Sequence, residues 1–351
     1  MLISILGDTH FGARNDSPVF DQHFKTFYNE TFFPYLEKHN INTVIQLGDV
    51  FDRRKYVNFN TLKSVQSYFL EKLNNYNSFV LVGNHDTFYK NTNKVNSLDL
   101  LLSKYKNINV IEHPKEYVFD KTKILFVPWI CADNESAVFK IMESTQAQIC
   151  CGHFEIQGFE MYKGTTIDHG LDKKIFDKFD IVLSGHYHHR STKNNITYCG
   201  TPYELTWSDY DDPKGFHVFN TDTRELKFIC NPNIMFFKYH YDDENKTIEE
   251  VVLDDFSLYN NAIVKVIVRN KNNPYWFDMV IEKLEQAGVC DLQIVDDHFH
   301  MDTEPEIDII SQAEDTLTIL NKYISSMQIQ TNKNQLENLI KNLYNEAISL
   351  E

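Results

Sequence analysis

The chain has 351 residues, 42% of them hydrophobic, enough to bury an ordinary core in one large domain with one or two small ones. No apolar run approaches the ~18 residues of a membrane span, and the strand-like run at Leu2–Leu6 leaves no room for a signal peptide, so a cytoplasmic protein without a membrane association is expected. The net charge of −16 argues against a general nucleic-acid binder, yet it is uneven: residues 241–351 hold 22 Asp+Glu against 8 Lys+Arg, leaving 28 against 26 in residues 1–240.

Over the first 200 residues, strand-like runs alternate with amphipathic stretches. Strands are predicted at Leu2–Leu6, Thr43–Leu47, Ser78–Val82, Ile124–Pro128, Gln148–Cys151 and Ile181–Ser184. Apolar residues at three- and four-residue spacing predict helices over Phe20–Asn40 and Asn60–Asn74, giving a layered α/β domain. Lys193–Tyr198, Gly215–Asn220 and Glu225–Cys230 read as antiparallel strands closing a second sheet. After Asn231-Pro232-Asn233 the pattern changes to a small α+β unit: a strand at Ala262–Arg269, a helix at Pro274–Gln286 with Gly288 just past its end, and a strand at Asp291–Val295. Beyond Thr303-Glu304-Pro305 two apolar stripes at helical spacing predict a wholly helical tail, able to pack on its own chain or on a partner. The six cysteines form no CxxC pair and are read as reduced and structural.

Five segments follow the apolar runs: GDTH from Gly7, GDVFD from Gly48, GNHD from Gly83, GHF from Gly152 and GHYH from Gly185. Asp8, His10, Asp49, Asn84, His153, His186 and His188 are therefore expected to project from strand ends toward one place. Carboxylate, imidazole and amide oxygen suit hard or borderline divalent cations, and no cysteine joins them. Seven ligands serve two ions if Asp49 is shared. The glycines allow tight turns and close approach of a phosphate. Asp-x-His and Gly-His alone are commonplace, GNHD after a strand is far less ordinary, and all five in this order point to a site rather than to chance.

In this order the segments resemble the calcineurin-like metallophosphoesterases, whose pattern is D-x-H, G-D-x-x-D, G-N-H-[DE], a lone His and G-H-x-H. Within them the chain is similar to the SbcD-type nuclease subunits of double-strand-break repair complexes, particularly the recombination endonuclease subunits of tailed phages. DTHFG, GDVFD and GTPYELTW from Gly200 to Trp207 carry that likeness. The resemblance implies a four-layer β-sandwich flanked by helices in residues 1–240, a small α+β capping, DNA-binding domain in 241–303 and a helical partner-binding tail in 304–351. It assigns Asp8, His10, Asp49 and His188 to one metal and Asp49, Asn84, His153 and His186 to the other. His85 becomes the catalytic histidine and Asp86 the residue orienting it. Two departures stand out: Asp52 occupies a position where many relatives carry histidine, and His189, after GHYH, is left without a role and expected at the exposed surface.

The implied activity is that of a hydrolase with two divalent ions, Mn²⁺ foremost and Mg²⁺ possible. Such a pair, about 4 Å apart, activates water and clamps phosphodiester oxygens for in-line attack. The family further implies exonuclease action on duplex DNA ends and endonuclease action on single strands. Its implied partner is an SbcC-type coiled-coil ATPase of the structural-maintenance class, in DNA recombination, repair and replication. A homodimer within a heterotetramer is also implied, with Phe20–Tyr35 a candidate contact that core packing explains equally well. Arg53, Arg54 and Lys55, directly after GDVFD, are the best candidates to hold DNA phosphates. A phosphomonoesterase or protein phosphatase would use nearly the same ligands, and a non-catalytic DNA-end scaffold regulating an ATPase is a further alternative. The run from Asp296 to Asp302 reads as an acidic strand end rather than a third metal site.

Overall fold

The computed structural model describes residues 1–252 and 255–296, and it sets two six-stranded sheets face to face. In the first, β1 (Leu2–Leu6), β2 (Thr43–Gln46), β3 (Asn77–Leu81) and β4 (Ile108–Ile111) run parallel. The second begins with the antiparallel pair β5 (Lys115–Phe119) and β6 (Thr122–Val127) and continues in parallel through β7 (Ile149–His153). After a short hairpin of β8 (Glu160–Tyr162) and β9 (Thr165–Thr166) come β10 (Ile181–Gly185), β11 (Ser191–Lys193) and β12 (Ile196–Tyr198). The order of this sheet is β11-β12-β10-β7-β6-β5.

Strand alternation explains the sandwich. Ile3 and Ile5, Ile45, Phe79 and Leu81 face Ile124, Phe126, Ile149, Cys151 and Leu183 across a closed core. The residues between them point outward but are buried as well, because helices cover both outer faces, and this makes the strands read as continuous apolar runs. On the second sheet, Val138 and Met142 of the helix Glu135–Ser144 pack on Leu125, Val127, Cys150 and Val182. On the first, a helix over 18–38 brings Phe27 and Phe32 against Phe216, and its Tyr28 meets Phe69 of a second helix over 59–73. Each helix has a π-helical turn in its middle, Phe27–Phe32 and Gln66–Leu70. The four layers are those expected. Phe20, Phe24, Phe27, Tyr28, Phe32 and Phe33 are all buried inside the chain, so core packing accounts for the apolar character of Phe20–Tyr35.

One strand assignment differs. β13 (Gly215–Asn220) and β14 (Leu226–Cys230) are antiparallel as predicted, but β13 pairs with β1, so both close the first sheet, in the order β14-β13-β1-β2-β3-β4. Only the hairpin of β11 and β12 joins the second.

The small unit is a separate three-stranded sheet of β15 (Phe236–Asp242), β16 (Ile263–Asn270) and β17 (Asp291–Asp296). All its strands are parallel and joined by crossovers, and β15 straddles the expected boundary at 240/241. The helix Pro274–Gln286 starts where Asn273 accepts the Tyr275 N–H at 3.1 Å and Pro274 takes the first turn, and it stops before Gly288, whose φ is +86°. Its Phe277, Val280 and Leu284 cover Val264, Val266 and Val268 of β16. Glu204 ties this sheet to the rest of its unit: the buried carboxylate accepts the Met235 and Phe236 N–H groups at 2.6 and 3.0 Å. The tail at 304–351 and the acidic run beyond Asp296 lie outside the described residues. Among the described residues no helix is long and apolar enough to cross a membrane, and none of the six cysteines is bonded to another.

Candidate metal centre

The parallel strands of both sheets end on the same side, where a ligand site belongs in α/β architecture. Asp8 and His10 follow β1, Asp49 follows β2, Asn84 and His85 follow β3, His153 ends β7, and His186 and His188 follow β10. All seven predicted ligands come together here. Asp8, His10 and His188 offer donor atoms within 4.8 Å of one another, and Asp49, His153 and His186 do the same. His10 Nε2 stands 3.1 Å from His188 Nε2. Asn84 Oδ1 lies 2.8 Å from His153 Nε2 and 2.9 Å from His186 Nδ1. Asp49 Oδ2 reaches both groups, 3.3 Å from His153 Nε2 and 3.9 Å from His10 Nε2.

The backbone is bent to achieve this. His10, Asp49 and His186 have φ of +43°, +53° and +85°, left-handed values that residues with a side chain rarely adopt and that cluster at functional sites. Of the five motif glycines, only Gly48, with φ +106°, turns through that region. Gly83 serves by close approach: a Cβ there would lie 2.2 Å from Asp49 Oδ1.

Second contacts fix the rings. The Leu47 carbonyl accepts His153 Nδ1–H at 2.8 Å, which turns Nε2 toward Asn84 and Asp49. Asp52 Oδ1 is 3.4 Å from His10 Nδ1, the carboxylate–histidine arrangement typical of metal ligands, and its carbonyl accepts His85 Nδ1–H at 2.6 Å. His85 N–H donates to Asp49 Oδ1 at 2.7 Å, and His186 N–H to Asp8 Oδ2 at 2.7 Å. Asp86, expected to orient His85, does something else. Its carboxylate accepts the N–H groups of Val50, Phe51 and Gly83 at 3.0, 3.3 and 2.9 Å, stapling the GDVFD and GNHD loops together. The His85 ring is bonded instead to the backbone carbonyl of Asp52.

The electrostatics are those of a site built for cations. Burial drives Asp8 up to about 7 despite His153 and His10 nearby. Burial opposes ionisation of Asp49 as well, but His153, His85 and His10 hold it well below the carboxylate range. His10 and His153, which burial alone would depress, are raised to about 9 by Asp52 and Asp49 for the first and by Asp49 and Asp8 for the second. Burial, and then the neighbouring imidazoles, push His186 and His188 well below the usual range. Asp8 Oδ1 and His186 Nε2 are buried without hydrogen-bond partners. Two imidazole nitrogens 3.1 Å apart, with an unpartnered carboxylate oxygen in the same group, fit a divalent cation far better than protons.

His189 is not simply surface. Its Nδ1 lies 3.0 Å from Asp212 Oδ1, and Asp212 is paired with the buried Lys214 at 2.9 Å. Lys214 also pairs with Asp209 at 2.6 Å and donates to the His188 carbonyl at 2.8 Å, so the GHYH loop rests on a buried ammonium. Burial disfavours that charge, but Asp209 and Asp212 raise Lys214 above its ordinary value. Lys214→Met should destabilise the fold by about 3–5 kcal/mol in equilibrium urea unfolding, since it leaves two buried carboxylates uncompensated. A variant with an unchanged midpoint would show that the pair contributes nothing.

Arg53, Arg54 and Lys55 have different surroundings. Arg53 is committed to Asp16 at 2.7 Å and Asn15 at 2.6 Å. Arg54 is half-buried with one guanidinium nitrogen lacking a partner, and Lys55 is exposed.

The model of the calcineurin-like phosphoesterase family matches residues 1–190, the span that holds every candidate ligand. This chain belongs to the calcineurin-like phosphoesterases. The phosphoesterase is 32% identical over 336 residues to "Exonuclease subunit 1" of Enterobacteria phage T4, a match covering 93% of each chain. It is 24% identical over 207 residues to "Putative phosphoesterase 078R" of Invertebrate iridescent virus 3, covering 57% of this chain and 56% of that one. It is also 23% identical over 197 residues to the SbcD component of the SbcCD nuclease of Staphylococcus saprophyticus, covering 53% and 48%. As a phosphoesterase it is a hydrolase, and a site of carboxylates, imidazoles and one amide is consistent with divalent-metal use.

Proposed function

We propose that this phosphoesterase is the nuclease subunit of a DNA end-processing complex, hydrolysing phosphodiesters with two divalent ions, Mn²⁺ foremost. The observation that carries the reading is the convergence of seven ligands in two groups that share Asp49. Likeness to an exonuclease subunit along nearly the whole chain supports DNA as substrate. Exonuclease action on duplex ends, endonuclease action on single strands, and an ATPase partner of the coiled-coil type are parts of the same proposal, as is a homodimer within the complex. In it, residues 1–240 carry hydrolysis, 241–303 cap the site over DNA and 304–351 dock on the ATPase.

Each residue then has a task. Asp8, His10, Asp49 and His188 hold one ion, and Asp49, Asn84, His153 and His186 the other. The ions, when bound, supply positive charge to phosphate oxygens and an activated water. Asp52 holds His10 and His85 in place, and His85, with Nδ1–H given to the Asp52 carbonyl, keeps Nε2 for a substrate oxygen. Arg54 and Lys55 remain available to DNA phosphates, whereas Arg53 braces the turn at Asp16.

The test is hydrolysis of end-labelled linear duplex with Mn²⁺, Mg²⁺ or chelator, with a small phosphomonoester in parallel. Mn²⁺-dependent shortening of the duplex is expected. Cleavage of the monoester alone would show a phosphatase, and DNA cleavage that survives chelator would overturn the two-ion reading.

A further inference from the structure

Trp129 stands two residues beyond β6, at the rim of the metal centre. Its ring centroid is 5.2 Å from that of His186 and 6.0 Å from that of His153. Its backbone is pinned on both sides: the N–H donates to the Val82 carbonyl at 2.8 Å, and the carbonyl accepts from Asn93 and Asn134 side chains at 2.8 and 2.9 Å. Its side chain is only half-buried. It holds a rigid aromatic surface beside the place where a phosphate would bind.

The loop that pins it carries more of the same. Asn93 belongs to the segment after GNHD, which carries Phe88, Tyr89 and Lys90. Phe88 and Tyr89 are 38% and 51% exposed, their rings 4.7 Å apart and nearly perpendicular, and Lys90 is exposed. The same segment is fastened to the chain just after Trp129: the Asn91 carbonyl accepts the Asp133 N–H at 3.1 Å, and the Thr92 hydroxyl donates to the Asp133 carboxylate at 2.9 Å. Exposed aromatics interleaved with a cation, on rigid backbone, match the way unpaired strands are held: bases stack on rings while the backbone meets positive charge.

We propose that Trp129 is a stacking platform for the nucleobase next to the phosphate being cleaved, and that Phe88, Tyr89 and Lys90 continue the path of an unpaired strand. This rests on the nuclease reading and adds to it a reason for the site to prefer a base-bearing, unstacked nucleotide over the phosphodiester linkage alone. Every base has a π-face, so the preference is independent of sequence.

The experiment compares a deoxythymidylate oligomer with an abasic oligomer of equal length, both with Mn²⁺. The wild-type protein should favour the base-bearing oligomer in kcat/KM by about tenfold. Trp129→Leu should bring that ratio toward one, and Trp129→Phe should keep most of it. A ratio cancels any general loss from weaker support of His186. In chelator, indole emission of the wild-type protein should be quenched by the deoxythymidylate oligomer and not by the abasic one, and Trp129→Phe should abolish the quench. Equal cleavage of the two oligomers by the wild-type protein, or an undiminished ratio in Trp129→Leu, would overturn the platform while leaving the nuclease reading intact. Cleavage of neither would overturn both.

Discussion

Asp49→Asn is expected to weaken Mn²⁺ binding by more than about 100-fold at one or both positions and to remove measurable hydrolysis. Replacing an outer-shell partner of a metal ligand already costs about 10- to 100-fold in affinity, and Asp49 is proposed as a direct ligand to two ions. Its Oδ2 is the carboxylate oxygen that reaches both groups, 3.3 Å from His153 and 3.9 Å from His10. Asparagine has the same shape and tolerates the left-handed backbone at φ +53°, so the change removes charge without adding strain. What remains is Asp8 as the sole carboxylate among seven ligands, with imidazoles that attract protons less once Asp49 is neutral. Isothermal titration of chelator-treated protein with Mn²⁺ reads the result directly. Two equivalents bound at wild-type affinity would remove Asp49 from the shared position.

The convergence of the candidate ligands was legible because each donor sits within a few residues of a strand's C-terminal end, where a short motif and its preceding apolar run suffice to place it. Contacts between distant segments were not legible. Asp86 looks like a catalytic neighbour of His85, yet its carboxylate spends its three hydrogen bonds on backbone amides, two of them 35 and 36 residues away. Nothing in a side-chain motif announces a backbone partner. Asp52 was hidden for the same reason, since its carbonyl holds His85 and its carboxylate holds His10. Lys214 lies outside every motif and acts through the His188 carbonyl. Among the strands, Gly215–Asn220 shows its own extended pattern, but its membership of the first sheet depends on pairing with β1 more than two hundred residues earlier. The all-parallel order of the small sheet depends on β15, an alternating, aromatic-rich run at Phe236–Asp242 that lies outside the strands predicted for this unit.

His85→Ala should separate chemistry from metal binding: both ions retained, and kcat on DNA lowered by about 10²- to 10⁴-fold, the range of a positioned acid–base group. Retention follows from geometry, because the contact His85 makes with Asp49 is through its backbone N–H, at 2.7 Å, and alanine keeps that amide. The lost group is the imidazole, whose ring centroid lies 4.9 Å from that of His10 and whose Nδ1–H is fixed on the Asp52 carbonyl. Nε2 is thereby the nitrogen offered to substrate. Burial lowers its proton affinity against the pull of Asp49, which favours the neutral ring. A neutral ring can still act, by taking its proton from solvent when the negative charge of a bound phosphodiester favours the imidazolium and passing it to the departing sugar oxygen. Substitution of the sugar leaving group by one that needs no proton, such as nitrophenolate, should therefore restore much of the lost rate in His85→Ala. If the variant cut DNA at the wild-type rate, or lost its ions together with its activity, the assignment of His85 to proton delivery would fail.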